Sequence, residues 1–180
     1  MKQRLASRDL AYCGLFGAAA LLLPILFHAV HLGHVFMPMY LPLVCLGFFA
    51  RPVPTAVTAL LSPLLSAAIF GMPPFFPPVA SSMALELATM AGLIAWLKQR
   101  WPNANEWLIL VPVLLLGRVL YVVFVYATAL LIELPPKFMA GLSLLGGWPG
   151  LILMVIVVPP VARAGKAIAY PVAKGEKKEP

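Results

Sequence analysis

Two ionisable residues, Glu86 and Arg118, lie inside long apolar segments of the sequence. If these segments cross a bilayer, a charge at its centre costs about 2.5–3.5 kcal/mol, so such a residue must face protein or a wet cavity. At 1.5 Å per helical residue, Glu86 lies roughly 10 Å from the start of its segment at residue 79. The long side chain of Arg118 can extend to the same depth. The pair predicts either an ion pair that locks two helices or a polar floor that holds a ligand carboxylate or amide.

Three histidines, His28, His31 and His34, recur at a spacing of three residues. On a continuous helix this spacing keeps side chains on one face, so the three are a candidate metal site. Gly33 predicts a helix end between them, and no Asp, Glu or Cys is near. A hydrogen bond from His28 to a ligand or loop is therefore the favoured interpretation, with His31 and His34 as interfacial residues. We predict neither a metal nor a cofactor.

Apolar, proline-rich loops are predicted at residues 31–39 and 71–78. Because proline limits the entropy that a loop loses on ordering, these loops could form a rigid lid over a pocket, or they could only plug the surface. Tyr121, Tyr126 and Trp148 are candidate pocket walls or interfacial aromatic residues.

Small residues follow one another at four-residue spacing in the first apolar segment, as Gly14 with Ala18 and Cys13 with Gly17. Such spacing lets another helix approach closely, either a partner's or one of this chain. Cys13 and Cys45 lack the spacing of a metal or redox site, so we interpret them as packing residues.

The composition indicates that these apolar segments lie in a membrane. Of 180 residues, 62% are hydrophobic and 11% are charged, whereas a soluble domain carries about 25% charged residues. The apolar runs are long and lack period-2 alternation, which favours membrane-spanning helices over a barrel. No P-loop, zinc-protease motif or nucleophile elbow occurs, so neither an ATPase nor one of those enzyme classes is indicated.

The predicted fold is an all-α membrane protein, a six-transmembrane-helix bundle with a short second helix. The predicted spans cover about residues 9–30, 40–50, 55–70, 79–97, 107–132 and 138–162. Arg51-Pro52-Val53-Pro54 predicts a tight turn, because two prolines oppose a continuous helix there. Residues 1–166 are expected to form a single transmembrane domain, and residues 167–180 a disordered cytoplasmic tail.

Lys and Arg residues predict the orientation. With the N-terminus inside, eleven of them lie on the cytoplasmic side, Lys137 lies alone outside, and Arg118 lies within a span. This asymmetry follows the positive-inside rule and accounts for the net charge of +7 without nucleic acid as a partner. The first segment is too long for a cleavable signal peptide. We expect a multi-pass protein of the inner membrane with both termini in the cytoplasm.

From about residue 8 to residue 163, the sequence resembles the substrate-binding S components of energy-coupling factor (ECF) transporters. The resemblance is carried by Leu23-Pro24-Ile25-Leu26-Phe27-His28, Phe36-Met37-Pro38-Met39-Tyr40-Leu41-Pro42, Leu61-Ser62-Pro63-Leu64-Leu65-Ser66, Gly71-Met72-Pro73-Pro74, Met83-Ala84-Leu85-Glu86-Leu87-Ala88, Gly117-Arg118 and Gly147-Trp148-Pro149-Gly150. It departs from similar sequences at Tyr40, where many have His, and at Gly14, which replaces the first Ala of an AxxxA pattern.

The resemblance implies a subunit that binds a vitamin or related micronutrient near the outer face. It implies docking through the first helix, at Gly14 and Ala18, onto a transmembrane coupling protein that joins two cytoplasmic ATPases. The expected substrate-binding residues are His28, Tyr40, Ser62, Ser66, Glu86, Arg118, Tyr121 and Trp148.

Three other functions stay open at this point. A metal-uptake subunit would use His28, His31 and His34, and a structural membrane subunit would have no ligand. An enzyme with Glu86 as acid or base is disfavoured, because Arg118 is the only other ionisable residue within the spans. The identity of the substrate is open beyond an amphipathic, heteroaromatic micronutrient.

Overall fold

A computed structural model describes residues 7–29, 36–75, 79–131 and 147–169 of the chain. In these ranges the chain forms six helices and no strand. The helices are α1 (Ser7–Ala29), α2 (Tyr40–Leu46), α3 (Pro52–Phe70), α4 (Val79–Arg100), α5 (Glu106–Leu131) and α6 (Trp148–Ala169). All except α2 are long and apolar enough to cross a membrane. The all-α fold with a short second helix is confirmed, and the count of six spans stays a prediction.

Several helix ends differ from the ends of the predicted spans, and the predicted turn at residues 51–54 is wrong. Pro52 and Pro54 begin α3 instead of forming a turn before it, because the first turn of a helix has no need of the N–H groups that proline lacks. The last helix begins at Trp148, after Gly147 in a left-handed conformation with φ +94°, and not at Phe138. It continues to Ala169, beyond the predicted end of the span and into the predicted tail. Residues 138–146 and 170–180 lie outside the described ranges.

The short helix α2 lies in the centre of the bundle. It contacts α1, α3, α4 and α6, and six of its seven residues are buried. Leu43 and Val44 are fully covered. A segment surrounded by other helices need not match the thickness of the bilayer by itself, which explains how so short a helix can replace a full span. It also places Tyr40, the first residue of α2, inside the protein.

The two ends of the bundle differ in charge. At one end, which we call the basic end, Asp9 of α1 forms an ion pair with Arg51 at the start of α3. Glu106 of α5 lies 3.2 Å from the Nζ of Lys98 in α4 and 3.0 Å from the Nε of Arg163 in α6. At the basic end, these contacts join α1 to α3, and separately join α5 to α4 and α6. The other end carries Gly71 after α3 and Gly147 before α6, and we call it the opposite end.

Helix α1 lies at the edge of the bundle, where it packs only on α2 and α3 among the described helices. Tyr12 and Phe16 of α1 pack against Phe49, which follows α2, with ring centroids 5.4 and 5.3 Å apart. The rest of α1 exposes a row of large apolar side chains that includes Leu15 and Leu22. In a membrane this row faces lipid or another protein.

Candidate functional site

The buried carboxyl of Glu86 is held by Tyr40. Glu86 lies in the second turn of α4 and is 1% exposed, and Tyr40 reaches it from the first turn of α2. The Tyr40 hydroxyl donates a hydrogen bond to Glu86 Oε2. The second oxygen, Oε1, has no hydrogen-bond partner among the described residues, so it remains an acceptor for a ligand.

Arg118 contributes a guanidinium to the same region from the middle of α5. Its charge interacts electrostatically with Glu86, Tyr40 and Tyr121. The guanidinium carbon lies 6.0 Å from the centre of the Tyr121 ring. No ion pair joins Arg118 to Glu86 within the described residues, whose ion pairs all lie at the basic end. The first interpretation of this pair, a salt bridge between helices, is therefore not what the fold contains.

Instead, Arg118 contacts a methionine. Its Nη2 lies 2.6 Å from the sulfur of Met37, a residue with φ +47° just before α2. A thioether is a weak acceptor, so this contact satisfies little of the hydrogen-bonding capacity of a guanidinium with five N–H donors. The sequence predicted for Met37 only a position within an apolar loop. No local signal indicated its contact with Arg118, because the two are distant in sequence.

The start of α6 closes against this region. A Cβ atom on Gly147 would lie 2.5 Å from Arg118 Nη2 and would overlap the side chain of Met37. A Cβ on Gly150 would lie 2.6 Å from the carbonyl oxygen of Phe36. Glycine at both positions therefore lets α6 begin directly beside Arg118 and the segment before α2. We call Met37, Tyr40, Glu86, Arg118 and Tyr121 the polar cluster.

The two predicted serines hydrogen-bond within their own part of the chain. Ser62 Oγ donates to the Thr58 carbonyl at 2.8 Å, and Ser66 Oγ donates to the Met72 carbonyl at 2.6 Å. A serine hydroxyl inside a helix commonly bonds to the carbonyl one turn earlier, as Ser62 does. Ser66 thereby ties the end of α3 to the predicted loop at 71–78, of which residues 71–75 are described. These contacts join neither serine to the polar cluster.

Trp148 and His28 occupy more exposed positions. Trp148 is the first residue of α6 and is 53% exposed, directly after the glycine that abuts Arg118. His28 is exposed near the end of α1, and its Nδ1 bonds to the Pro24 carbonyl at 2.7 Å. His31 and His34 lie outside the described residues, so the predicted metal triad is not tested. Within the described ranges no three His, Cys, Asp or Glu side chains gather to hold a metal.

The polar cluster combines the chemistry of a binding site. It holds one buried carboxyl oxygen with free acceptor capacity, a guanidinium, and the hydroxyl of the buried Tyr121 within an apolar bundle.

No family model, no curated protein and no solved structure matches this chain.

Proposed function

We propose that this chain is the substrate-binding subunit, or S component, of an ECF-type importer. In this proposal it captures a vitamin or related micronutrient at the outer face of the inner membrane. A coupling protein and two ATPases then help deliver the micronutrient inward. The observation that carries the proposal is the polar cluster, because a carboxyl and a guanidinium inside membrane-spanning helices are costly, and ionisable residues in such positions typically mark a functional site.

The orientation belongs to the proposal. The described basic residues near helix ends, Arg8, Arg51, Lys98, Arg100 and Arg163, gather at the basic end of the bundle, which supports a cytoplasmic location for that end. The polar cluster would then open outward. Protease removal of a tag at the C-terminus from inverted membrane vesicles, but not from intact spheroplasts, is the expected result.

The proposed docking surface is on α1. Gly14 and Ala18 are exposed, and nothing lies within 4 Å of a Cβ atom built on Gly14. Gly17, by contrast, faces Thr58 of α3, with its would-be Cβ 3.3 Å from the threonine methyl. The internal contact of α1 therefore uses Gly17 and leaves the Gly14–Ala18 pair available to a helix of the coupling protein.

The docking surface is tested by co-purification with the coupling module. Gly14→Leu and Ala18→Leu should each abolish retention of the coupling protein while leaving the melting temperature of the isolated subunit unchanged. Ala127→Leu, a matched small-to-large change at an exposed position of α5, should retain it. Equal retention by all three variants would remove α1 as the docking helix.

Ligand binding is tested by mass spectrometry of small molecules that co-purify with the solubilised protein. Wild type should retain a vitamin-like compound that Glu86→Ala and Arg118→Ala both lose. A metal that chelators strip from the protein would favour the histidine alternative. If no compound is retained and added vitamins leave the melting temperature unchanged, the structural-subunit alternative is favoured.

A further inference from the structure

The two charged members of the polar cluster are not equivalent. Glu86 already accepts a hydrogen bond from Tyr40, a neutral donor that stabilises the carboxyl in place. Arg118 has the Met37 sulfur as its hydrogen-bond partner in the described part of the chain. Glu86 acts on Arg118 only through space, without an ion pair, so Arg118 has the larger number of unused hydrogen-bond donors, and a charged oxygen acceptor satisfies such donors best.

The surroundings of Arg118 also favour an anionic partner. The described carboxylates outside the cluster, Asp9 and Glu106, are engaged in ion pairs at the basic end. The guanidinium lies beside Gly147, where α6 begins, and the positive end of a helix dipole adds to a cation's potential. Tyr121 is buried next to it and supplies another hydroxyl.

The backbone and the guanidinium of Arg118 lie at different depths. Arg118 follows Glu106, the first residue of α5, by roughly three helical turns, which is about 18 Å along the helix axis. A hydrocarbon core is about 30 Å thick, so the backbone of Arg118 is well inside the bilayer, below the level of lipid phosphates. The guanidinium reaches from there toward Gly147 at the opposite end of the bundle, so the test below, and not depth, distinguishes a small solute from a lipid headgroup.

From these observations we infer that the ligand carries an oxyanion, a carboxylate or a phosphate, that pairs with Arg118. This inference rests on the proposed function and narrows its substrate class to acidic micronutrients. A planar guanidinium binds such a group through two parallel hydrogen bonds, and Met37 is the contact it gives up or shares. Glu86 Oε1 accepts an N–H or O–H from another part of the same molecule.

The test compares Arg118→Gln, which keeps N–H donors but removes the charge, with Arg118→Lys, which keeps the charge. The compound retained by the wild type is identified, and its affinity is measured for each variant. Where none co-purifies, acid and neutral pairs are used as probes: nicotinate with nicotinamide, pantothenate with panthenol, and biotin with its amide. Arg100→Gln, an exposed charge removal at the basic end, is the control.

We expect an anionic compound whose affinity falls about ten- to hundredfold in Arg118→Gln, less in Arg118→Lys, and not at all in Arg100→Gln. A neutral or cationic compound, or one that Arg118→Gln binds as well as wild type, would overturn the inference and leave the proposed function intact. A bound phospholipid that delipidation removes would also overturn it. If no compound co-purifies with the wild type and neither the probe acids nor their neutral counterparts raise its melting temperature, both the inference and the proposed function fail.

Discussion

Replacing Tyr40 with phenylalanine removes one oxygen atom and tests the central contact of the polar cluster. Without that hydroxyl, the Glu86 carboxyl has no hydrogen-bond donor among the described residues, although it stays 1% exposed. A buried polar group left without its partner costs about 1–3 kcal/mol, and a charged one more. For a chain of this length each kcal/mol lowers the melting temperature by about 2–4 °C, so we expect a fall of roughly 2–12 °C.

The measurement is thermal unfolding of the purified protein in detergent, without added ligand. Tyr126→Phe is the matched control, because Tyr126 is 58% exposed and its hydroxyl should contribute within about 0.5 kcal/mol. In a Glu86→Met background, where the carboxyl is gone, Tyr40→Phe should cost less by about 1 kcal/mol or more. An equal cost of Tyr40→Phe in both backgrounds, or a cost no larger than the control's, would refute the contact as a stabilising one.

Three further substitutions test the packing around the cluster by the same thermal assay. Gly117→Ala places a methyl group against the fully buried sulfur of Met90 and should cost about 1–3 kcal/mol, falling close to zero in a Met90→Ala background; an unchanged cost would contradict the packing. Thr55→Val removes a buried hydroxyl that has no hydrogen-bond partner in the described structure, so it should stabilise the protein by about 1 kcal/mol. Destabilisation by this substitution would mean that the hydroxyl does have a partner. Glu106→Gln removes the carboxylate that faces Lys98 and should cost about 3 kcal/mol, whereas a loss below about 0.5 kcal/mol would mean that this ion pair does not hold the basic end together.

Local composition was enough to predict the helices. Within the described residues, each long apolar run forms a helix, because a helix satisfies its own backbone hydrogen bonds and depends on hydropathy along a single stretch of chain. The predicted turn after Arg51 is wrong because proline stops a helix in its interior yet starts one in its first turn, and sequence distinguishes the two positions poorly. The start of α6 depended on Gly147, whose left-handed conformation the surrounding apolar residues did not indicate.

The candidate site was predicted only in part. Glu86 and Arg118 were identified from their cost in an apolar segment, a property that each residue carries by itself. Their partners were not predictable in the same way, and neither was the local bonding of Ser66 to Met72. The network of Glu106 with Lys98 and Arg163 was likewise invisible, since the sequence suggested only that basic residues share one side of the membrane.

The sequence by itself determined that this chain is built of apolar helices with a carboxylate and a guanidinium among them. Only the tertiary structure decided that Glu86 bonds to Tyr40 while Arg118 turns to Met37. Depth along a helix follows from counting residues, but two side chains at the same depth meet only if their helices adjoin and are rotated toward each other. That rotation is set by contacts among distant segments, here the burial of α2 at the centre and the close approach of α6 at Gly147.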